Sequence, residues 1–331
     1  MIIFNFKKII EKRFSVLVKF NVHLIVLFTV FFSIVFKIIP VENLNVDRWS
    51  VITSFWDNYF SGEYAYFAKS TMNNPPGPMP FYFVLALPFY LIGELGYFSI
   101  LGLILFYLIL RFNKSYVYDQ TFSILIISSS VFFLWEVCCR SNIFLNGSLV
   151  LFVLVNYYKS KKLNTKKIVS SSILIGLCLS TRNVLIIPFI VAFVYELKSK
   201  NINFKQVFLI GLISSITFIF TFLPFVWKHF EDFKQMNPFI IQSSALMPFR
   251  LTIIFILFSL FAGLITKSIV DIYFYSGFIL FITIIGYYCY HFWIEGFHKT
   301  FFDSSADISY FILGLPFSLF YILEKAKKEE T

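Results

Sequence analysis

Two carboxylates in one aromatic-rich stretch are the residues best suited to chemistry in this chain. They are Asp47 and Asp57, within DRWSVITSFWDNYFSGEYAYFAKSTMNNPPGPMP, Asp47 to Pro80. On a helix over 47–60, Trp49, Ile52, Trp56 and Tyr59 share one stripe, while Asp47, Ser50, Ser54, Asp57 and Asn58 face the other way. Such a helix is expected to lie flat at a membrane surface, either as a plain interfacial anchor or as a mount presenting a carboxylate at headgroup level. Beyond it, Gly62 with Tyr64 and Tyr66 predicts a turn. The run NNPPGPMP cannot be helical, because proline lacks the N–H donor and fixes φ. A lead-in this rigid suits one wall of a cleft.

Arginines form the second group of candidates. Arg182 sits at the tip STRN of a hairpin whose arms are about 12 to 14 apolar residues, and an arginine there is costly unless it faces a polar cavity or a partner. Its plain alternative is a snorkelling side chain. For Arg140 the alternative is an ion pair with Glu136 at helical spacing.

The elements that must position these residues are membrane helices. Of 331 residues, 58% are hydrophobic and 14% charged, with 47 Phe and a mean hydropathy of +0.79; soluble domains carry about 25% charged residues. Apolar runs of roughly 17 to 25 residues recur from end to end, and no polar block is large enough for a soluble domain. The expected fold is therefore a single all-α polytopic membrane domain over 1–331. The first run, Val16 to Ile39, is too long for a cleaved signal peptide and lacks a small-x-small site. A net charge of +10 comes from short clusters beside apolar runs, a pattern that orients helices and does not call for nucleic acid. Cys138, Cys139, Cys178 and Cys289 lack C-x-x-C spacing and read as core residues.

Placing every lysine cluster on one side predicts about 10 transmembrane helices with both termini cytoplasmic. The first outer loop covers about residues 40–80. The segment from Phe81 to Leu110, interrupted by Pro88, Gly93 and Glu94, is expected to be one broken or tilted passage. The outer face then also receives Asn237 and Gln242, whose amides suit a sugar. Glu295, Asp303 and Asp307 reach the same face as candidate oxygen ligands for a divalent metal, at a spacing that is not diagnostic.

An Asp just after the first apolar helix, a Gly fifteen residues later (Asp47, Gly62), aromatic residues directly after it and a PPGP entry to the next helix resemble the first outer loop of GT-C superfamily glycosyltransferases. The type most similar is the bacterial polyprenyl-phosphate-mannose-dependent mannosyltransferase. The resemblance covers residues 16 to 110 and extends weakly to GLCLSTRNVLIIPF (Gly176 to Phe189) and NPFIIQSS (Asn237 to Ser244). It implies transfer of a sugar from a polyprenyl-phosphate carrier to an acceptor hydroxyl on the outer side of a bacterial inner membrane, with inversion and with a glycan or lipid as acceptor. The family's loop aspartate maps onto Asp47 as general base; paired acids are common there, and the second acid here is Asp57. A carboxylate suits this role because an alcohol is a weak nucleophile until a positioned base takes its proton. The leaving lipid phosphate needs cations, for which Arg182 leads, followed by Arg140 and Arg48. Tyr64, Tyr66, Asn237 and Gln242 complete the expected sugar contacts. No cofactor is certain from the sequence, and a divalent metal is possible.

Two other classes share the lipid-linked substrate. A transporter or flippase of lipid-linked saccharides would carry ionisable residues and broken helices near the midplane. A polysaccharide polymerase would carry a large arginine-rich outer loop.

Overall fold

The computed structural model describes residues 17–44, 46–159, 164–245, 248–301 and 308–330. These residues form helices and connecting turns, with no strand among them. Three helices are long and apolar enough to cross a membrane, and a fourth span arises if α5 (Val117–Ser129) and α6 (Val131–Cys138), bent by 63° at Ser130, count as one. The all-helical membrane fold expected from composition is present; the number of crossings is a separate question.

Two ends of the bundle can be told apart by their chemistry. At one, lysines close helix ends. Lys159 Nζ donates to Phe112 O at 2.7 Å, Lys198 Nζ to Leu264 O at 2.6 Å and Thr266 O at 2.9 Å, and Lys167 Nζ to Tyr157 O. Cations suit the exposed carbonyls of helix C-termini there. At the other end α1 (Leu17–Ile38) delivers Asp47 to the start of α2 (Arg48–Phe60).

The path from residue 80 to 112 splits into two helices with different jobs. α3 (Pro80–Ile92) starts with Phe81 N donating to Ser180 Oγ at 3.2 Å and Tyr82 N to Ser180 O at 3.2 Å. It stops at Gly93, whose φ of 84° closes the helix in the left-handed region. α4 (Gly96–Phe112) begins against the Phe36 ring, where a side chain at Gly96 has no room. It runs to the lysine end, where Asn113 Nδ2 reaches Glu324 at 2.7 Å. The segment expected as one broken passage over Phe81 to Leu110 is thus two helices parted at Gly93, and of these α4 alone runs from the Asp47 end to the lysine end. α3 stays at the Asp47 end and packs on α2.

α2 departs from expectation in what its apolar stripe meets. Ile52, Phe55 and Trp56 are buried in protein. Phe55 stacks on Phe83 with centroids 3.6 Å apart and planes 5° from parallel, and Trp56 Nε1 donates to Phe83 O at 3.2 Å. The stripe was expected in the headgroup layer. Tyr64 and Tyr66 from the loop, Phe83 from α3 and Phe225 from further along the chain supply enough aromatic surface to bury it within the protein.

The remaining helices complete the bundle: α7 (Ile143–Lys159), α8 (Thr165–Leu179), α9 (Ile186–Lys198), α10 (Phe204–Phe220), the short α11 (Leu223–Val226), α12 (Phe230–Gln235) and α13 (Pro238–Ala245), then α14 (Phe249–Ile265), α15 (Ile269–Phe301) and α16 (Leu315–Glu330). α15 breaks its helical path at Gly296, where φ is 80° and ψ is 171°.

Arg140 ties the Asp47 end together. It is 1% exposed. Its Nε meets Glu94 Oε1 at 3.2 Å, Nη1 donates to Cys138 O at 2.7 Å, and Nη2 donates to Ile39 O at 2.9 Å and Phe36 O at 3.3 Å. Glu136, its alternative partner at helical spacing, accepts from Phe144 N at 2.9 Å at the start of α7. Arg140→Ala should lower stability by about 3 to 5 kcal/mol, since it strands a carboxylate and several carbonyls. Arg140→Lys should recover only part, because an ammonium lacks the guanidinium fork. Thermal unfolding in detergent measures both, and an unchanged midpoint for Arg140→Ala would refute the clamp.

Candidate functional site

Asp47 occupies the N-cap position of α2, yet its side chain caps nothing there. It is held from the far side of the loop instead. Ser70 Oγ donates to Asp47 Oδ2 at 2.6 Å and Asn74 Nδ2 donates to the same oxygen at 2.8 Å. Ser70 and Asn74 close a tight turn on each other, with Ser70 N to Asn74 O at 3.0 Å and Asn73 at a φ of 62°. A second tie joins the turn to α2: Thr71 N donates to Ser50 Oγ at 3.1 Å. From the other side, Gln242 Nε2 donates to Gly77 O at 2.7 Å. The proline-stiffened segment therefore fixes one carboxylate oxygen of Asp47. Oδ1 takes no hydrogen bond among the described residues.

That carboxylate lines a cavity of about 1330 Å³, larger than the roughly 300 to 1,000 Å³ of a small-molecule pocket. Its mouth is polar. Arg48, Tyr82, Arg182, Gln242 and Tyr310 join Asp47 there. The Arg48 guanidinium lies 4.5 Å from the Tyr310 ring centroid; that of Arg182 lies 5.9 Å from the same ring and 5.5 Å from Tyr82. Two cations thus lie near one aromatic ring, and the ring quadrupole attracts each of them. Arg182 Nε is buried and has no hydrogen-bond partner among the described residues. Asn142 Nδ2, in turn, holds the Tyr82 hydroxyl at 3.1 Å.

Deeper in, the cavity becomes apolar, between α10, α14 and α15. Two of its hydroxyl residues are turned to backbone: Ser214 Oγ donates to Ser172 O at 2.9 Å and Thr283 Oγ1 to Ile279 O at 2.7 Å. With those groups satisfied by backbone, the surface left beside Phe218, Ile256 and Ile284 is hydrocarbon.

The other expected site residues fall elsewhere. Asp57 accepts from Tyr90 OH at 2.6 Å at the far end of α2 and does not line the cavity. Arg140 is saturated in its clamp. Tyr64 and Tyr66 are buried in the aromatic cluster around α2 and do not line the cavity, with Tyr64 OH donating to Met236 O at 2.8 Å and Tyr66 OH to Pro78 O at 3.2 Å. Burial pushes both phenols above their ordinary pKa, helped by Asp232 for Tyr64 and by Tyr64 for Tyr66, so they remain neutral donors. Asn237 caps α13, its Oδ1 accepting from Phe239 N and Ile240 N at 3.1 Å each. Among the described residues no cluster of His, Cys, Asp or Glu could hold a metal ion. Glu295 contacts His291 Nδ1 at 3.2 Å, and Asp303 and Asp307 lie outside the described residues. The site thus unites Asp47, Arg48, Arg182 and Gln242 and leaves out Asp57, Arg140, Tyr64, Tyr66 and Asn237.

Ser70, Asn74, Tyr82 and Tyr310 are the partners that sequence reasoning missed. The paired asparagines before Pro75 were a legible turn signal; nothing local marks Tyr310. The polar mouth, with an unsaturated guanidinium above an apolar shaft, can take an amphiphile with an anionic head. Arg182→Ala should weaken binding of a polyprenyl phosphate by about tenfold or more, the worth of a charge-assisted hydrogen bond. Tyr64→Phe should leave that affinity unchanged while costing about 1 kcal/mol of stability. Equal affinities for wild type and Arg182→Ala in a titration would remove Arg182 from the site.

No family model, no curated protein and no solved structure matches this chain, which leaves the geometry of Asp47, Arg182 and the cavity to indicate its chemistry.

Proposed function

We propose that this chain is a membrane glycosyltransferase of GT-C type that moves a sugar from a polyprenyl-phosphate-linked donor to an acceptor hydroxyl, with Asp47 as general base. The observation that carries this reading is the Asp47 carboxylate, pinned through Oδ2 and turned into a cavity whose mouth holds Arg182 and whose depth is hydrocarbon. In the reaction the acceptor oxygen bonds to the anomeric carbon and gives its proton to Asp47. The bond from that carbon to the phosphate oxygen breaks, and the phosphate leaves with the electron pair. Attack from the face opposite the phosphate inverts the anomeric centre. Arg182 and Arg48 stabilise the charge that builds on the leaving phosphate, and Gln242 offers its amide to the sugar.

The same reading orients the molecule. Taking each passage between the two ends as a crossing gives about ten, several of them short for a bilayer. The lysine end is cytoplasmic by the positive-inside rule, with both termini there. The Asp47 end faces outward from a bacterial inner membrane. A transporter fits less well, because the charged residues lining the cavity, Asp47, Arg48 and Arg182, all gather at one end, whereas transport needs polar groups at mid-depth.

Asp47→Asn should cut transfer by about a hundredfold or more at normal expression, in an envelope-glycan assay. Asp57→Asn should stay near wild type, since Asp57 only receives Tyr90. Full activity of Asp47→Asn would sink the assignment of the base. Reporters fused after Tyr66 and Gln242 should appear on the side opposite to one fused after Lys162; all three on one side would overturn the orientation.

A further inference from the structure

A second cavity lies against the first. It measures about 520 Å³, and the described residues that line it are apolar but for the indole N–H of Trp227. Phe218, Ile219 and Phe239 line both cavities. The partition is a run of aromatic rings: Phe218 and Phe239 have centroids 6.0 Å apart, and Phe222 stacks on Phe239 at 5.6 Å with planes 15° apart. On its open side stand Leu223, Trp227 and Phe230, with exposures of 41%, 80% and 60%. Such exposure of a tryptophan beside a hydrocarbon groove suits the boundary between headgroups and acyl chains. Among the described residues no hydrogen-bonding side chain other than the Trp227 indole lines it, so a peptide or sugar would find almost nothing to bind there.

We infer that this groove holds an acyl chain of the acceptor, and that the acceptor is itself an amphiphilic lipid. This rests on the glycosyltransferase reading. The main cavity already contains an apolar shaft for the donor's carrier, so a separate apolar groove sharing its wall is not needed for that tail. Transfer between two lipids requires two tails side by side while their heads meet at one polar mouth. The shared Phe218 and Phe239 wall supplies that arrangement, with Asp47 and Arg182 at the mouth of the first cavity.

The test uses full-length protein in vesicles of phosphatidylethanolamine and phosphatidylglycerol, with two photoreactive probes. One is a phosphatidylglycerol carrying a diazirine in its acyl chain, and the other is a diazirine-bearing polyprenyl phosphate. The acyl probe should label Leu223, Val226 and Trp227 above other lipid-facing positions. Val226→Trp, which fills the groove, should cut this labelling at least fivefold and leave polyprenyl labelling at Ile256 and Ile284 intact; Leu223→Trp serves as the second filling variant. Acyl labelling that is even over the lipid-facing surface and indifferent to both variants overturns the groove. Loss of both probes' labelling in well-folded variants means that one carrier threads both cavities, and this also overturns it. In cells, Asp47→Asn and Val226→Trp should deplete the same species from the lipid extract. If Asp47→Asn depletes only water-soluble or polymeric glycan, the acceptor is not a lipid. If Asp47→Asn alters no glycan fraction, the glycosyltransferase reading itself fails, while probe labelling still decides whether the groove binds an acyl chain.

Discussion

A guanidinium buried among apolar side chains must have its donors satisfied, because no water is at hand to replace a missing partner. Arg140 meets that demand by serving three chain segments at once. It takes carbonyls at the end of α1, the carbonyl of Cys138 at the end of α6, and the Glu94 carboxylate between α3 and α4. Carbonyls at helix C-termini lack intrahelical partners and carry partial negative charge. One cation therefore closes two helix ends and anchors the junction from which α4 descends. The chain that leaves α1 reaches Asp47 only a few residues later, so the height of the carboxylate is inherited from this clamp. The aromatic layer of α2 and α3 is laid over the same fixed points.

Two arginines of the same type thus have opposite roles, decided by how many partners surround them. Arg140 has its nitrogens engaged by backbone and carboxylate and retains little capacity for a ligand. Arg182 rests against Tyr82 and Tyr310 with Nε unbonded. Aromatic faces attract a cation without consuming its N–H donors in the ring plane, so Arg182 is positioned and still able to bind an anion. The two aspartates separate on the same principle. Asp47 is fixed through one oxygen and presents the other, whereas Asp57 is engaged by a tyrosine away from the cavity.

The cavity is amphipathic for an equally local reason. Ser214 and Thr283 lie deep along its wall, but each donates to a carbonyl on a helix backbone and leaves its carbon face to the interior. At those two positions a hydroxyl residue in sequence is in effect hydrocarbon in space. The neighbouring groove, which shares Phe218, Ile219 and Phe239 with it, extends the same surface toward lipid.

Composition alone determined that this chain is helical and apolar enough for a membrane, because long runs without charge leave no other way to satisfy backbone polar groups in lipid. Local pattern determined the helix after Asp47, the rigid Asn73 to Pro80 lead-in, and Arg182 as an arginine in need of a polar setting. What the apolar stripe of α2 meets, which aspartate faces the cavity, and the saturation of Arg140 were decided only by tertiary structure. Each depends on residues far away in the chain: Glu94 for Arg140, Asn74 for Asp47, Tyr310 for Arg182. Helical periodicity says which way a side chain points from its own axis. It carries no information about what stands opposite, and for a charge in an apolar bundle the partner opposite decides whether the residue holds the fold or serves the site.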